Sequence, residues 1–217
     1  GSLGGKARGL AFMNSMILKH RLYDKHANVR IMIPRSVVIA TDYFDDFIRL
    51  NGLKYIISQE FSDEEILSEF VSSTVPAKLQ QELKAYIQTV RTPLAVRSSS
   101  KLEDSHYQPF AGIYSTYMIP YVDNGDQMLR LLLKAVKSVY ASVYFATSRA
   151  YLSSSQNLIS EEKMAVIIQE VCGTEQDGLF FPTFSGVARS INYYPIGDEA
   201  PADGVCNIAM GLGKLVV

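Results

Sequence analysis

The stretch from Pro93 to Met118 reads PLAVRSSSKLEDSHYQPFAGIYSTYM, and it decides the fold around it. Its opening apolar run, residues 94–96, predicts a short buried strand. A second strand-like run covers Phe110 to Ile119 and returns beside the first. The polar residues between the two runs are typical of a turn. The stretch therefore predicts a β-hairpin near the middle of the chain.

Arg97 follows the first apolar run and precedes three serines, which we interpret as the start of the turn. A guanidinium group binds phosphate oxygens with a planar, two-pronged set of donors. Small hydroxyl side chains add donors and let a ligand approach the backbone. This pattern predicts an anion-binding role for Arg97. The alternative, an ion pair with Glu103 or Asp104, is equally consistent with these residues alone.

The composition is that of an ordinary globular protein. The chain has 217 residues, of which 47% are hydrophobic and 20% charged, and its formal net charge is −1. This length suits one large domain or two lobes, and the charge balance does not suggest nucleic-acid or membrane binding. Cys172 and Cys206 lack metal-ligand spacing, so we expect small core residues in a reducing, cytoplasmic compartment. The three histidines form no metal or triad pattern.

A glycine turn carrying Lys6 opens the chain, and an apolar spacing then predicts a helix with Leu10, Met13, Ile17 and Leu18 on one face. A helix N-terminus attracts anions, and glycines let the backbone approach a phosphate. Because the second glycine and the Lys-Ser/Thr pair are missing, this is no Walker A loop. A plain loop with a solvated lysine is the alternative interpretation.

The remaining pattern predicts alternating strands and helices. We expect strands over 29–33, 36–40, 164–171, 184–188 and 204–210, helices starting near Thr41, Ser62 and Pro76, and one long helix over 126–151. Thr41 and Asn124 are expected to cap the helices that follow them, and Ser62 and Glu65 match a capping box. The apolar run at 164–171 predicts a central strand. The polar loop at 153–157 suggests a lobe boundary, with one lobe over 1–155 and a second beginning at 156–217.

Several segments together resemble one family. The chain is similar to the N-terminal ATP-binding domain of the phosphoenolpyruvate synthase and pyruvate phosphate dikinase family, most closely the synthase branch. The matching segments are GGKARGLAFM, IPRSVVIATDYFDDFIRLNGL, LAVRSSSKLEDSHYQPFAGIYSTYM, LLLKAVKSVYASVYFATSRAYL, MAVIIQEVCG, FSGVARS and GLGKLVV. The resemblance implies an α+β, ATP-grasp-like fold of two lobes, with mixed or antiparallel sheets flanked by helices and truncated at the C-terminus.

The resemblance also implies a phosphotransferase that binds MgATP and passes the β-phosphate to a histidine on a carrier domain. A barrel domain then phosphorylates pyruvate, giving phosphoenolpyruvate, AMP and phosphate. By motif, Lys6 and Arg97 would hold the triphosphate. The adenine edge would be formed by Gln169, Glu170 and Val171, largely through the backbone, and a flexible phosphate-covering turn by Ser185 and Gly186.

Two departures from the family pattern bear on activity. Lys214 stands where the family usually has glutamate, and the family's acidic metal-binding pair is not among these 217 residues. We therefore expect Mg ligands beyond this chain and no activity of the fragment alone. Two alternatives stay open, namely a non-catalytic nucleotide-sensing or assembly module and a rifamycin-type phosphotransferase.

Overall fold

The computed structural model describes residues 1–100, 114–154 and 162–213. The α-helices are α1 Gly4–Lys19, α2 Thr41–Leu50, α3 Asp63–Ser72, α4 Ala77–Ile87, α5 Gly125–Ala141 and α6 Ala146–Ser154. The strands are β1 Ser36–Ile39, β2 Leu94–Ser100, β3 Thr116–Ile119, β4 Met164–Glu170, β5 Thr174–Gln176, β6 Leu179–Phe181, β7 Phe184–Arg189 and β8 Val205–Met210. This mixture of helices and antiparallel strands confirms the predicted α+β class.

A four-stranded sheet organises the first part of the chain. Its strand order is β1-β4-β2-β3, and each neighbouring pair is antiparallel. The predicted central position of β4 is confirmed, since it pairs with β1 on one side and β2 on the other. Its residues 164–168 are all buried, which explains the uninterrupted apolar run in the sequence.

One face of this sheet packs against α2 and α5 and forms the hydrophobic core. The strands contribute residues from alternate positions, among them Leu94, Val96, Val166 and Ile168. The helices contribute the apolar stripes predicted from their 3.6-residue period. Tyr140 and Tyr144 of the long helical region lie in this core, and Tyr140 is only 1% exposed.

The helix starts follow local signals in two of three cases. Ser62 and Glu65 form the predicted capping box, and Asn124 accepts a hydrogen bond from the Gln127 amide at the start of α5. Thr41 was expected to cap α2, which is wrong, because it is the first helical residue and Ala40 precedes it. The Thr41 hydroxyl instead accepts a hydrogen bond from the amide of Ser2 at 2.8 Å.

Three other expectations were wrong. The long helix is broken at Phe145, where the backbone is extended, so it divides into α5, a 3-10 turn and α6. Residues 29–33 form no strand, apart from an isolated bridge between His26 and Val29. Both cysteines are exposed. The predicted first helix is confirmed as α1, and its apolar face is largely uncovered, since only the first turn of that helix packs against the sheet.

The chain divides into two compact units, Gly1–Val171 and Cys172–Val217. The first contains α1–α6 and β1–β4, and the second contains two antiparallel ribbons, β5–β6 and β7–β8. The lobe boundary predicted at 155–156 lies outside the described residues and stays a prediction. Among the helices that the structure describes, none combines the length and apolarity needed to cross a membrane.

Candidate functional site

The three serines after Arg97 continue the strand, so their interpretation as a turn was wrong. β2 pairs with β4 along its whole length, from Leu94 opposite Glu170 to Ser100 opposite Met164. Ser98, Ser99 and Ser100 are each 0% exposed. Buried hydroxyl groups need hydrogen-bond partners, and the N-terminal turn of α1 supplies partners for two of them.

The first turn of α1 is held on β2 by Ser99. The Ser99 hydroxyl donates to the carbonyl oxygen of Leu3 at 2.9 Å and accepts from the amide of Ala7 at 3.1 Å. Gly4 has a φ of +72°, and a Cβ built there would lie 1.7 Å from the Ser99 carbonyl oxygen. Only glycine tolerates both this conformation and this approach. The predicted glycine turn is therefore the first turn of the helix itself.

Lys6 lies on this docked turn and reaches the same strand. Its Nζ donates to the Ser98 hydroxyl at 3.2 Å, and Ser98 follows Arg97 directly along β2. Both residues predicted to hold the triphosphate are therefore associated with β2: Arg97 belongs to this strand, and Lys6 contacts the residue that follows Arg97. Because side chains alternate along a strand, Ser98 leaves β2 on the face opposite Arg97, whereas Ser99, which holds the first turn of α1, leaves it on the same face as Arg97. Convergence of the two cations on one polyphosphate stays a prediction.

Arg97 lies on the sheet face opposite the hydrophobic core. There it takes part in a row of hydrogen bonds across three strands. Arg97 Nη1 donates to Gln169 Oε1 at 3.4 Å, and Gln169 Nε2 donates to the Ser36 hydroxyl at 3.2 Å. Ser36 donates in turn to the carbonyl oxygen of Pro34 at 2.8 Å. We call these side chains the Ser36–Gln169–Arg97 row.

The end of β4, predicted as the adenine edge, is already engaged in contacts. The amide of Glu170 donates to the Arg35 carbonyl oxygen at 2.9 Å, and the amide of Val171 donates to the Pro93 carbonyl oxygen at 3.0 Å. The Glu170 carboxylate pairs with Arg35 and accepts from the Thr92 hydroxyl at 3.1 Å. These donors are not available to an adenine ring, so backbone recognition here depends on carbonyl groups. The assignment of this edge to adenine stays a prediction.

Tyr86 lies close to the Arg35–Glu170 ion pair. Burial, followed by the nearby Glu170 charge, raises the pKa of its hydroxyl to about 12. The hydroxyl oxygen is buried without a hydrogen-bond partner. Tyr86 therefore stays neutral at physiological pH and contributes apolar packing beside the Arg35–Glu170 pair.

The strand predicted over 184–188 is confirmed as β7, which contains Ser185 and Gly186, so the turn that the resemblance implied for these two residues is wrong. The Ser185 hydroxyl donates to the Gly211 carbonyl oxygen at 2.7 Å. A Cβ at Gly186 would lie 2.2 Å from the Asn207 carbonyl oxygen on the paired strand, so glycine permits the close pairing of β7 with β8. Their assignment to a nucleotide stays a prediction. Lys214, Glu103 and Asp104 lie outside the described residues.

No cluster of three or more histidine, cysteine, aspartate or glutamate side chains occurs in the parts of the chain that the structure describes. The described residues therefore contain no preformed metal site made of three or more such side chains. A Mg²⁺ ion bound to ATP keeps several waters and takes only one or two carboxylates besides the phosphates, so the expectation of Mg ligands beyond this chain stays a prediction.

Comparison with known proteins decides the family. The family model described as pyruvate phosphate dikinase, AMP/ATP-binding domain, matches residues 1–217. The chain belongs to this family. The resemblance inferred from the motifs is therefore confirmed, and ATP binding and membership of a phosphotransferase family follow from it.

Individual relatives are distant. The uncharacterized phosphotransferase YvkC of Bacillus subtilis is 29% identical over 152 residues, which are 69% of this chain and 17% of the relative. The phosphoenolpyruvate synthase of Aeropyrum pernix is 24% identical over 200 residues, 82% and 22% respectively. The probable phosphoenolpyruvate synthase of Staphylothermus marinus is 26% identical over 212 residues, 86% and 23%. The chain spans about a fifth of the length of these relatives.

The sequence did not predict the contacts that three residues make in the site. Ser36 supports Gln169, Ser99 holds the first turn of α1, and Ser98 contacts Lys6. A period of two along β1 would have placed Ser36 with Val38 on the face opposite Val37 and Ile39. No local signal shows that β2 continues through three consecutive serines, because that depends on the pairing with β4.

Proposed function

We propose that this chain is the ATP-binding part of a phosphotransferase that makes phosphoenolpyruvate. In the full-length protein, the β-phosphate of ATP moves to a histidine on a carrier domain. It then moves to pyruvate on a barrel domain, with release of AMP and inorganic phosphate. The family match over the whole chain carries this proposal, and two relatives named as phosphoenolpyruvate synthases support the acceptor.

Lys6 and Arg97 have the central roles in this proposal. Phosphoryl transfer requires positioning of the phosphates and neutralisation of developing charge more than covalent chemistry by the protein. Lys6 supplies a compact charge from the first turn of α1, and Arg97 supplies a planar donor set from β2. Both side chains are partly exposed, so each remains accessible to a ligand.

The remaining partners belong to other parts of the protein. The carrier histidine, the pyruvate-binding barrel and the ligands of an ATP-bound Mg²⁺ are expected outside these 217 residues, and the compartment is expected to be the cytoplasm. No nucleic-acid or membrane partner is part of this proposal, since the net charge is close to neutral.

The test is ATP-dependent release of AMP by the full-length protein with and without pyruvate. Each charge-assisted hydrogen bond to a phosphate is worth roughly 1.5–3 kcal/mol. Lys6→Ala and Arg97→Ala should therefore each lower kcat/KM for ATP by at least about tenfold. Lys19→Ala and Arg49→Ala remove exposed cations elsewhere in the first unit and serve as controls. Unchanged turnover in both site variants would refute the assignment.

The same assay separates the alternatives. Pyruvate-independent AMP release would point to another acceptor, as in a rifamycin-type phosphotransferase. ATP binding without AMP release under any condition would favour a nucleotide-sensing or assembly module.

A further inference from the structure

We infer that the side chain of Gln169 is a positioning residue that holds the Arg97 guanidinium ready for the ATP phosphates, and that Ser36 determines the orientation of its amide. This inference rests on the proposed function, because it assigns a task to a residue of the same site. It differs from the predicted adenine-edge role, which used mainly the backbone around Gln169.

Register brings the three side chains together. Ser36 of β1 is directly opposite Gln169 of β4, and Gln169 is opposite Ala95 of β2. Arg97 lies two residues beyond Ala95, so it emerges on the same sheet face as Gln169. Diagonal neighbours at this spacing are within reach of long side chains. The contact is therefore specified by the strand pairing and does not depend on a loop conformation.

The row has a direction because a serine hydroxyl has one proton to donate. Ser36 donates that proton to the Pro34 carbonyl oxygen, at 2.8 Å. Its oxygen can then only accept from the Gln169 amide, so the Nε2 group of Gln169 faces Ser36. The Oε1 atom is consequently left facing Arg97 Nη1, at 3.4 Å. The hydrogen bond from Ser36 to Pro34 thus fixes the orientation of the Gln169 amide, and that orientation directs its Oε1 atom towards Arg97.

Glutamine suits this task because it is a neutral acceptor. A guanidinium has five N–H donors, and the contact to Gln169 leaves others for a phosphate. A carboxylate in the same position would also hold Arg97, but it would cancel the positive charge offered to the ligand. An aliphatic side chain would leave Arg97 charged and free to sample several rotamers, so part of the binding energy would be lost in ordering it.

Isothermal titration of the full-length protein with ATP and, separately, with adenosine tests this role. Gln169→Leu should weaken ATP binding about tenfold, which is the lower end expected for one charge-assisted contact, and leave adenosine binding unchanged. Gln169→Glu should weaken ATP binding further, because it neutralises Arg97. Ser36→Ala should have a smaller effect than Gln169→Leu, and Ser36→Thr, which keeps the hydroxyl, should restore affinity. Gln80→Leu, an exposed substitution on α4, is the control.

A double-mutant cycle gives the decisive comparison. If Gln169 acts through Arg97, then Arg97→Ala with Gln169→Leu should bind ATP no more weakly than Arg97→Ala alone. Full additivity of the two changes would overturn the inference while leaving the proposed function intact. Equal losses for ATP and adenosine would do the same and restore the adenine-edge role. Should Gln169→Leu fail to fold, Gln169→Met, which is also uncharged and lacks the amide oxygen, takes its place in the cycle. Failure of the unaltered protein to bind ATP would refute both proposals.

Discussion

Replacing Gly4 with alanine should separate the docked first turn of α1 from β2. The added Cβ would lie 1.7 Å from the Ser99 carbonyl oxygen, which is backbone of a buried strand and cannot move aside. Gly4 also has a φ of +72°, a conformation that costs a residue with a side chain roughly 1–2 kcal/mol. Relief of the clash would break the Ser99 contacts to Leu3 and Ala7.

The expected loss follows from these contributions. Two neutral hydrogen bonds are worth about 1 kcal/mol each, so together with the backbone strain the free energy of unfolding should fall by about 3–4 kcal/mol. Because Lys6 lies in the same turn, ATP affinity should fall as well. Urea denaturation followed by far-ultraviolet circular dichroism measures the first quantity, and isothermal titration with ATP measures the second.

Gly9→Ala is a matched control in the same helix. Position 9 is exposed, and a Cβ there meets nothing within 4 Å. This substitution should stabilise the protein by up to about 1 kcal/mol through helix propensity, with no change in ATP affinity. If Gly4→Ala behaves like Gly9→Ala in both assays, the docking of α1 on Ser99 is refuted.

Two further predictions concern buried tyrosine hydroxyls. The Tyr140 hydroxyl is buried without a hydrogen-bond partner, so Tyr140→Phe should raise the free energy of unfolding by about 1 kcal/mol; a decrease in urea denaturation would contradict this. Tyr86 has a pKa raised from 10.0 to about 12, mainly by burial. The unfolded chain therefore loses this proton first as pH rises, so stability should fall between pH 10 and 12. The free energy of unfolding of Tyr86→Phe should fall less over that range, and an equal fall would contradict the assignment of this pH dependence to Tyr86.

Local sequence signals correctly predicted the elements that are stabilised by residues close together in the chain. The capping box at Ser62, the cap at Asn124 and the period of α5 each involve groups three or four positions apart. The apolar run of β4 predicted its central position correctly, because a strand buried on both faces has apolar residues at successive positions. The motif pattern similarly indicated the family that the comparison confirmed.

Errors arose where distant contacts override local preference. Threonine is a residue type that often caps helices, but the Thr41 hydroxyl instead accepts a hydrogen bond from the amide of Ser2. The apolar run at 29–33 has strand propensity yet finds no partner strand among the described residues. The cysteines suggested core positions from composition alone, whereas both lie on exposed surfaces. Propensity states what a segment can form, and pairing decides what it does form.

By itself, the amino-acid sequence determined the α+β class, most helix positions, the family and the identity of Lys6 and Arg97 as the candidate phosphate ligands. Only the tertiary structure decided that β2 continues through its serines, that Ser99 holds the first turn of α1, and that Gln169 contacts Arg97. The physical reason is the distance along the chain. These contacts join residues more than 70 positions apart, and strand register, which no local pattern encodes, brings them within hydrogen-bonding distance.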